Sequence, residues 1–213
     1  MKISLTKAGK RYNRDWIFRN FSYDFSAGQS YAITGPNGSG KSTLLQAIGG
    51  AIVLSEGEAI YQRITPTNVV TIEPDLAYRH LSIAAPYLEL IEEMNVTEFL
   101  GFHQQFKPFI PSVTIPQILQ IVGLEKAAQK QIRYYSSGMK QRVKLAQAIF
   151  SEVPVVLLDE PCTNLDAEGI ALYQRMIAEY CGQRLMLVSS NDLTEYGFCS
   201  KQINIMDYKT GKA

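Results

Sequence analysis

Gly35-Pro36-Asn37-Gly38-Ser39-Gly40-Lys41-Ser42-Thr43 decides how this chain folds. The stretch fits the phosphate-binding pattern G-x-x-x-x-G-K-[ST]. Its glycines let the backbone curl until successive N–H groups converge on phosphate oxygens. Lys41 has the reach for the β- and γ-phosphates, and the Ser42 hydroxyl can ligate Mg²⁺. Gln29 to Thr34 reads as a short strand entering the loop. Thr43 to Ile48 reads as a helix leaving it, stopped by Gly49-Gly50. Strand, glycine loop and helix together aim the positive helix end at one anion.

The composition limits the classes the chain can join. It has 213 residues, 46% of them hydrophobic, enough for one domain with a sizeable core. Lys and Arg number 21 against 20 Asp and Glu, so no nucleic-acid surface is indicated. The densest apolar run, Val153 to Leu158, is the size of a strand and not of a membrane span. Met1-Lys2 leads into alternating polar residues without a signal-peptide core, and three cysteines carry no metal or redox spacing. A cytoplasmic protein is expected; if it acts at the inner face of a membrane, partner subunits must bring it there.

Working outward, Ile3 to Tyr31 alternates apolar and polar residues, with turns expected near Gly9, at Asn13-Arg14-Asp15 and at Ala27-Gly28. Gly57 to Tyr61 and Asn68 to Thr71 are further strands. From 96 to 135 the texture turns helical: Thr97-Glu98 opens one helix, Pro108 and Pro111 break it, and Ile115 to Val122 forms a second. From Ser136 onward helices and strands alternate: a helix to Phe150, a buried strand at 153–158, a helix over 167–180, a strand from Leu185 to Ser189 and a last strand near Gln202 to Met206. That order predicts an α/β fold, a P-loop NTPase core with a mainly parallel sheet. An antiparallel β part precedes it. The core comprises 1–95 and 136–213, and the 96–135 block is an inserted helical subdomain.

The strand through Leu158 delivers Asp159-Glu160 at its C-terminal edge. Asp159 suits the Mg²⁺ shell and Glu160 suits polarisation of the attacking water. Before this strand stands Tyr135-Ser136-Ser137-Gly138-Met139, with Ser136 a good helix N-cap. After it stands Pro161-Cys162-Thr163-Asn164-Leu165-Asp166. The ordered set of P-loop, helical insert, signature-like stretch, acidic strand end and E-P-x-[ST]-x-L-D resembles the ATP-binding cassette (ABC) ATPases over essentially the whole chain.

The resemblance implies an ATP- and Mg²⁺-dependent ATPase subunit of a transporter. Two cassettes, as a homodimer or a mixed pair, would close head to tail on two ATP molecules and drive separate integral-membrane subunits. Tyr12 sits where the family stacks an aromatic on adenine. Ser136, Ser137, Gly138 and Met139, in place of the usual S-G-G-Q, would reach the partner's ATP. Asp166 would belong to the loop that crosses the dimer interface. Two departures stand out. Asn191 occupies the position of the family's switch histidine and cannot become a cation near neutral pH. No glutamine precedes the helical insert; Tyr87 or Glu89 stands nearest, and a glutamate there would be a further Mg²⁺ ligand beside the phosphates. These departures keep two other readings open: a nucleotide-dependent dimerisation module with weak hydrolysis, and a soluble cassette ATPase serving a non-transport assembly.

Overall fold

The computed structural model describes residues 1–209, built on two sheets. An antiparallel sheet joins β1 (Lys2–Tyr12), β2 (Asp15–Ser26), β4 (Glu56–Ile64) and β5 (Val69–Ile72) in the order β2-β1-β4-β5. A second sheet joins β3 (Ser30–Thr34), β6 (Leu81–Ala84), β7 (Val155–Asp159), β8 (Leu185–Ser189) and β9 (Lys201–Asn204) in the order β6-β7-β8-β3-β9, every pair parallel. Its helices are α1 (Lys41–Ile48), α4 (Ser137–Phe150), α5 (Ala167–Tyr180) and the short α6 (Leu193–Tyr196), while α2 (Val96–Phe106) and α3 (Ile115–Ile121) form the insert.

The continuous apolar run of β7 follows from burial on both faces. Side chains alternate across a strand. Val155 and Leu157 join the core under α1 and the antiparallel sheet; Val156 and Leu158 join the core under α4 and α5. The next residue on the α1 face is Asp159, so strand periodicity alone turns its carboxylate toward the P-loop side. The insert has no core of its own: Val96, Phe99, Leu100, Ile118 and Leu119 share one cluster with Val143, Ile149 and Leu158. Asn95 caps α2 with a capping box to Glu98, one turn position earlier than the expected Thr97-Glu98 opening.

Two expectations are corrected, and two elements come in addition. Gly9 lies inside β1, not at a turn: the strand carries register shifts between Leu5 and Arg11 that absorb the irregularity as bulges. A Cβ at Gly9 would meet Glu56 at 2.7 Å and Trp16 at 2.9 Å, so the glycine serves close packing. The last strand ends at Asn204, where a 3₁₀ turn over Ile205–Tyr208 begins, capped by the Asn204 side chain. β6 was not foreseen; four residues are too few to show a period, and its Ser82 hydroxyl is neutralised only by a distant partner, the Ala148 carbonyl at 2.7 Å. Nor was α6, a single turn set off by Asp192.

Leu157 is fully buried, and its Cδ1 packs on Gly49 at the end of α1. Leu157→Ala opens a cavity between the sheet and α1, and urea unfolding is expected to register a loss of about 2–5 kcal/mol.

Candidate active site

The P-loop is shaped by backbone that only glycine adopts cheaply. Gly40 has φ 98°, and a Cβ there would strike Cγ2 of Ile17 on β2. The same contact places the Tyr12–Asp15 hairpin beside the loop. Gly40 gives α1 no side-chain cap, and the first turn holds no acidic residue. The leading N–H groups of α1 therefore keep their capacity for an external anion. Lys41 is 5% exposed and donates from Nζ to the Gly35 and Pro36 carbonyls at 2.9 and 3.2 Å, which holds the ammonium inside the curl of the loop.

Asp159 is 1% exposed, and its register partner on β8 is Ser189, fully buried. Burial pushes the Asp159 carboxyl up from its ordinary value; the nearby Ser42 and Ser189 hydroxyls act the other way, without closing a hydrogen bond to Oδ1. Ser189 Oγ and Ser39 Oγ are likewise buried without a partner. Unsatisfied buried oxygens are costly and rare. A carboxylate oxygen and hydroxyls converging beside the phosphate loop form a hard oxygen donor set, which fits Mg²⁺ through Ser42 and Asp159.

Glu160 follows at φ 43°, a left-handed conformation costing a non-glycine residue about 1–2 kcal/mol. Its N–H donates to the Ser189 carbonyl at 2.9 Å, and its carbonyl accepts from Thr163 N–H at 3.1 Å. Asn191 sits across from it. Gly35 N–H can only donate, so Asn191 Oδ1 accepts there at 3.3 Å; Nδ2 is thereby fixed as the donor to Asn37 Oδ1 at 2.9 Å. Asn37, Glu160, Thr163 and Asn191 thus line one depression of about 380 Å³ at the C-terminal edge of the sheet.

A second depression, also about 380 Å³, is lined by Ser136, Ser137, Gly138, Met139, Arg142 and Asp166. Ser136 caps α4, its Oγ accepting from Met139 N–H at 3.2 Å, and Asp166 caps α5 through Gly169 N–H at 2.8 Å. A Cβ at Gly138 would approach the Asn164 carbonyl to 3.0 Å, so this helix start packs tightly on the 163–166 loop. Leu165 lines both depressions and separates them.

Tyr12 is 49% exposed, with Lys10 Nζ 5.0 Å from its ring centre, a stacking face open to solvent. Glu89, an alternative Mg²⁺ ligand on sequence, lies instead in a groove with Glu92, Lys140 and Lys144; burial lowers the Lys144 pKa, and the Glu89 charge opposes that. Tyr87 is 45% exposed, but its hydroxyl end reaches Gln46 and the Asp159 charge: burial of that end pushes the hydroxyl up to about 12, opposed by Gln46 and reinforced by Asp159. Sequence reasoning missed Ser189, and also Gln141, whose Nε2 donates to the Pro161 carbonyl at 2.7 Å. Neither carries a local signal, because each acts through a neighbour distant in the chain.

This arrangement is that of a P-loop ATPase, with a second depression beside the first. The ABC transporter family model matches residues 18–163, and the chain belongs to this family, the ABC ATPases. An export ATP-binding protein of cytochrome c biogenesis, CcmA of Xylella fastidiosa, is 32% identical over 74% of this chain and 69% of its own length. The uncharacterised ABC transporter ATP-binding protein YybJ of Bacillus subtilis is 28% identical over 83% of this chain and 79% of its own. The bacterial ABC transporter cassette MJ0796, solved as a dimer, shares the fold with a TM-score of 0.77 over 95% of this chain and 94% of that one, at 22% identity.

The raised Asp159 pKa has a sign that can be tested. A carboxyl held above its unfolded value loses stability as pH rises through the folded pKa, and costs nothing below the unfolded value of 3.8. Asp159→Asn is therefore expected to raise Tm at pH 7.5, each 1 kcal/mol appearing as about 2–4 °C. The gain should shrink toward zero as scans are run down to pH 4.

Proposed function

We propose that this chain is the ATP-binding and ATP-hydrolysing subunit of a transporter, closing as a head-to-tail pair around two ATP molecules to drive separate membrane subunits. The observation that carries the reading is the pair of depressions divided by Leu165. One presents Asn37 of the phosphate loop with Glu160 and Asn191. The other presents a capped helix start, a second anion-binding end, with nothing in its own chain to bind. A second copy turned by a two-fold axis would bring each to the other.

Within one half-site the roles divide by reach. The backbone of Gly35, Pro36, Asn37, Gly38, Ser39 and Gly40, with Lys41 and Thr43, cradles the phosphates, and Tyr12 stacks on the base. Ser42 and Asp159 would hold Mg²⁺, which when bound would supply charge neutralisation at the phosphates. Glu160 accepts a proton from the attacking water. Ser136, Ser137, Gly138 and Met139 approach the γ-phosphate of the partner's ATP, with Asp166 crossing between copies. Asn191 orients the loop as an uncharged amide.

Among the described residues no helix is long and apolar enough to cross a membrane, and in this reading separate membrane subunits supply the span. The segment after β6 offers them a contact: Tyr87 and Ile91 are exposed, while Leu90 and Met94 turn into the core and hold the segment down. Asn191 favours one other reading, a dimerisation module with slow turnover.

Steady-state ATPase of Glu160→Gln beside the wild type tests the assignment. The variant is expected to lose about 10²–10⁴-fold in kcat, the contribution of a positioned base. It should also elute as an ATP-bound dimer in gel filtration; equal rates would remove Glu160 as the base. Asn191→His is expected to raise kcat, most strongly where the imidazole carries charge, below about pH 6.5. An unchanged rate would show that residue 191 does not limit turnover.

A further inference from the structure

Glu195 is 5% exposed, on α6, and has no part in the mechanism above. An acidic residue in the first turn of a helix ordinarily faces water, where the helix dipole favours it. Glu195 instead turns into the protein, and burial raises its pKa, with the Asp192 and Glu160 charges acting in the same direction. Burying a carboxylate near two others is unfavourable unless its acceptor strength is used. The use is specific: Oε1 accepts from the Cys162 N–H at 2.7 Å.

Cys162 lies two residues beyond Glu160, in the turn that leaves β7. That turn begins with the left-handed Glu160, a conformation that persists only where its surroundings fix it. Glu160 N–H is held by Ser189, Pro161 O by Gln141 and Cys162 N–H by Glu195. Glu195 is itself secured: its carbonyl accepts from Tyr173 Oη at 2.8 Å, and Thr194 O accepts from Gln174 Nε2 at 3.1 Å. Both donors lie on α5, the helix into which the turn runs. Five residues earlier in the same segment, Ser190 N–H donates to the Ile33 carbonyl at 3.1 Å and Asn191 holds Gly35 and Asn37. Residues 190–195 therefore bridge the P-loop to the turn that carries Glu160.

We infer that Glu195 is a positioning residue for ATP hydrolysis, its carboxylate fixing the Cys162 amide and with it the direction of the Glu160 side chain and the start of the 163–166 loop. The inference rests on Glu160 being the group that activates water. Glu195 lines the depression that holds Glu160, but its Oε1 is engaged by the Cys162 N–H, so its loss is expected to act on turnover and not on binding.

The experiment compares Glu195→Ala, Glu195→Asp and Glu195→Gln with the wild type and Glu160→Gln. Three readouts are taken: steady-state ATPase, affinity for a fluorescent mant-ATP, and exchange of the Cys162 amide by NMR. Ala removes the acceptor, Asp draws it back by one methylene, and Gln keeps a carbonyl oxygen in place. Ala and Asp are expected to lower kcat about 10- to 100-fold, the scale of a misplaced catalytic group, with mant-ATP affinity unchanged and Cys162 exchanging faster. Gln is expected to restore both rate and protection. Wild-type turnover in Ala and Asp, equal loss in Gln and Ala, or unchanged Cys162 exchange would overturn the proposal. If Ala does not fold, the Asp and Gln pair carries the same contrast. A Glu160→Gln variant as fast as wild type would show that the base assignment has failed, and Cys162 exchange would then decide the role of Glu195 separately.

Discussion

The position of β8 between β3 and β7 is the constraint on which the site depends. Each of the three strands ends at the same edge of the sheet, and each releases a different functional segment there: the P-loop, Asp159-Glu160, and Ser189-Ser190-Asn191. Parallel pairing fixes their relative heights. Asp159 stands opposite Ser189, and Ile33 opposite Ser189 on the other side. Backbone hydrogen bonds then continue past the strand ends, from Glu160 N–H to Ser189 O and from Ser190 N–H to Ile33 O. The middle strand thereby ties the phosphate loop to the acidic strand end.

The cost of this arrangement is borne by buried polar atoms and strained backbone. Asp159, Ser39 and Ser189 each keep an oxygen from water with no protein partner, and Glu160 holds a positive φ. A structure built for stability alone would have avoided all four. They cluster within one small region, as functional sites do when strain is retained because it pre-arranges a reaction. The surrounding core makes this tolerable: β7 and β8 are buried along their whole length, between two large apolar clusters.

Much of the fold was legible because its signals are local. The β8 limits and the 167–180 helix are found where expected, since a short apolar run and a capped amphipathic segment each declare themselves within a few residues. Glycine conformation is equally local, so the P-loop could be recognised before any contact was known. Gly9 misled because a glycine that permits close packing looks, in sequence, like a glycine that permits a turn. β6 was invisible for the opposite reason: four residues, one of them Ser82, cannot display a period, and only pairing with β7 makes them a strand.

The sequence by itself determined the phosphate loop, the acidic strand end, the capped helix starts at Ser136 and Asp166, and the family these compose. Each depends on backbone propensity and short spacing, which neighbouring residues control. Only the tertiary structure decided which side chains meet. It carried the Tyr87 hydroxyl toward Gln46 and Asp159, set Glu89 in a groove with Lys144, bound Asn191 to Gly35 and Asn37, and buried Glu195 against Cys162. Strand order brings together groups more than thirty residues apart in the chain, and that order is set by burial of both sheet faces, which no local stretch of sequence encodes.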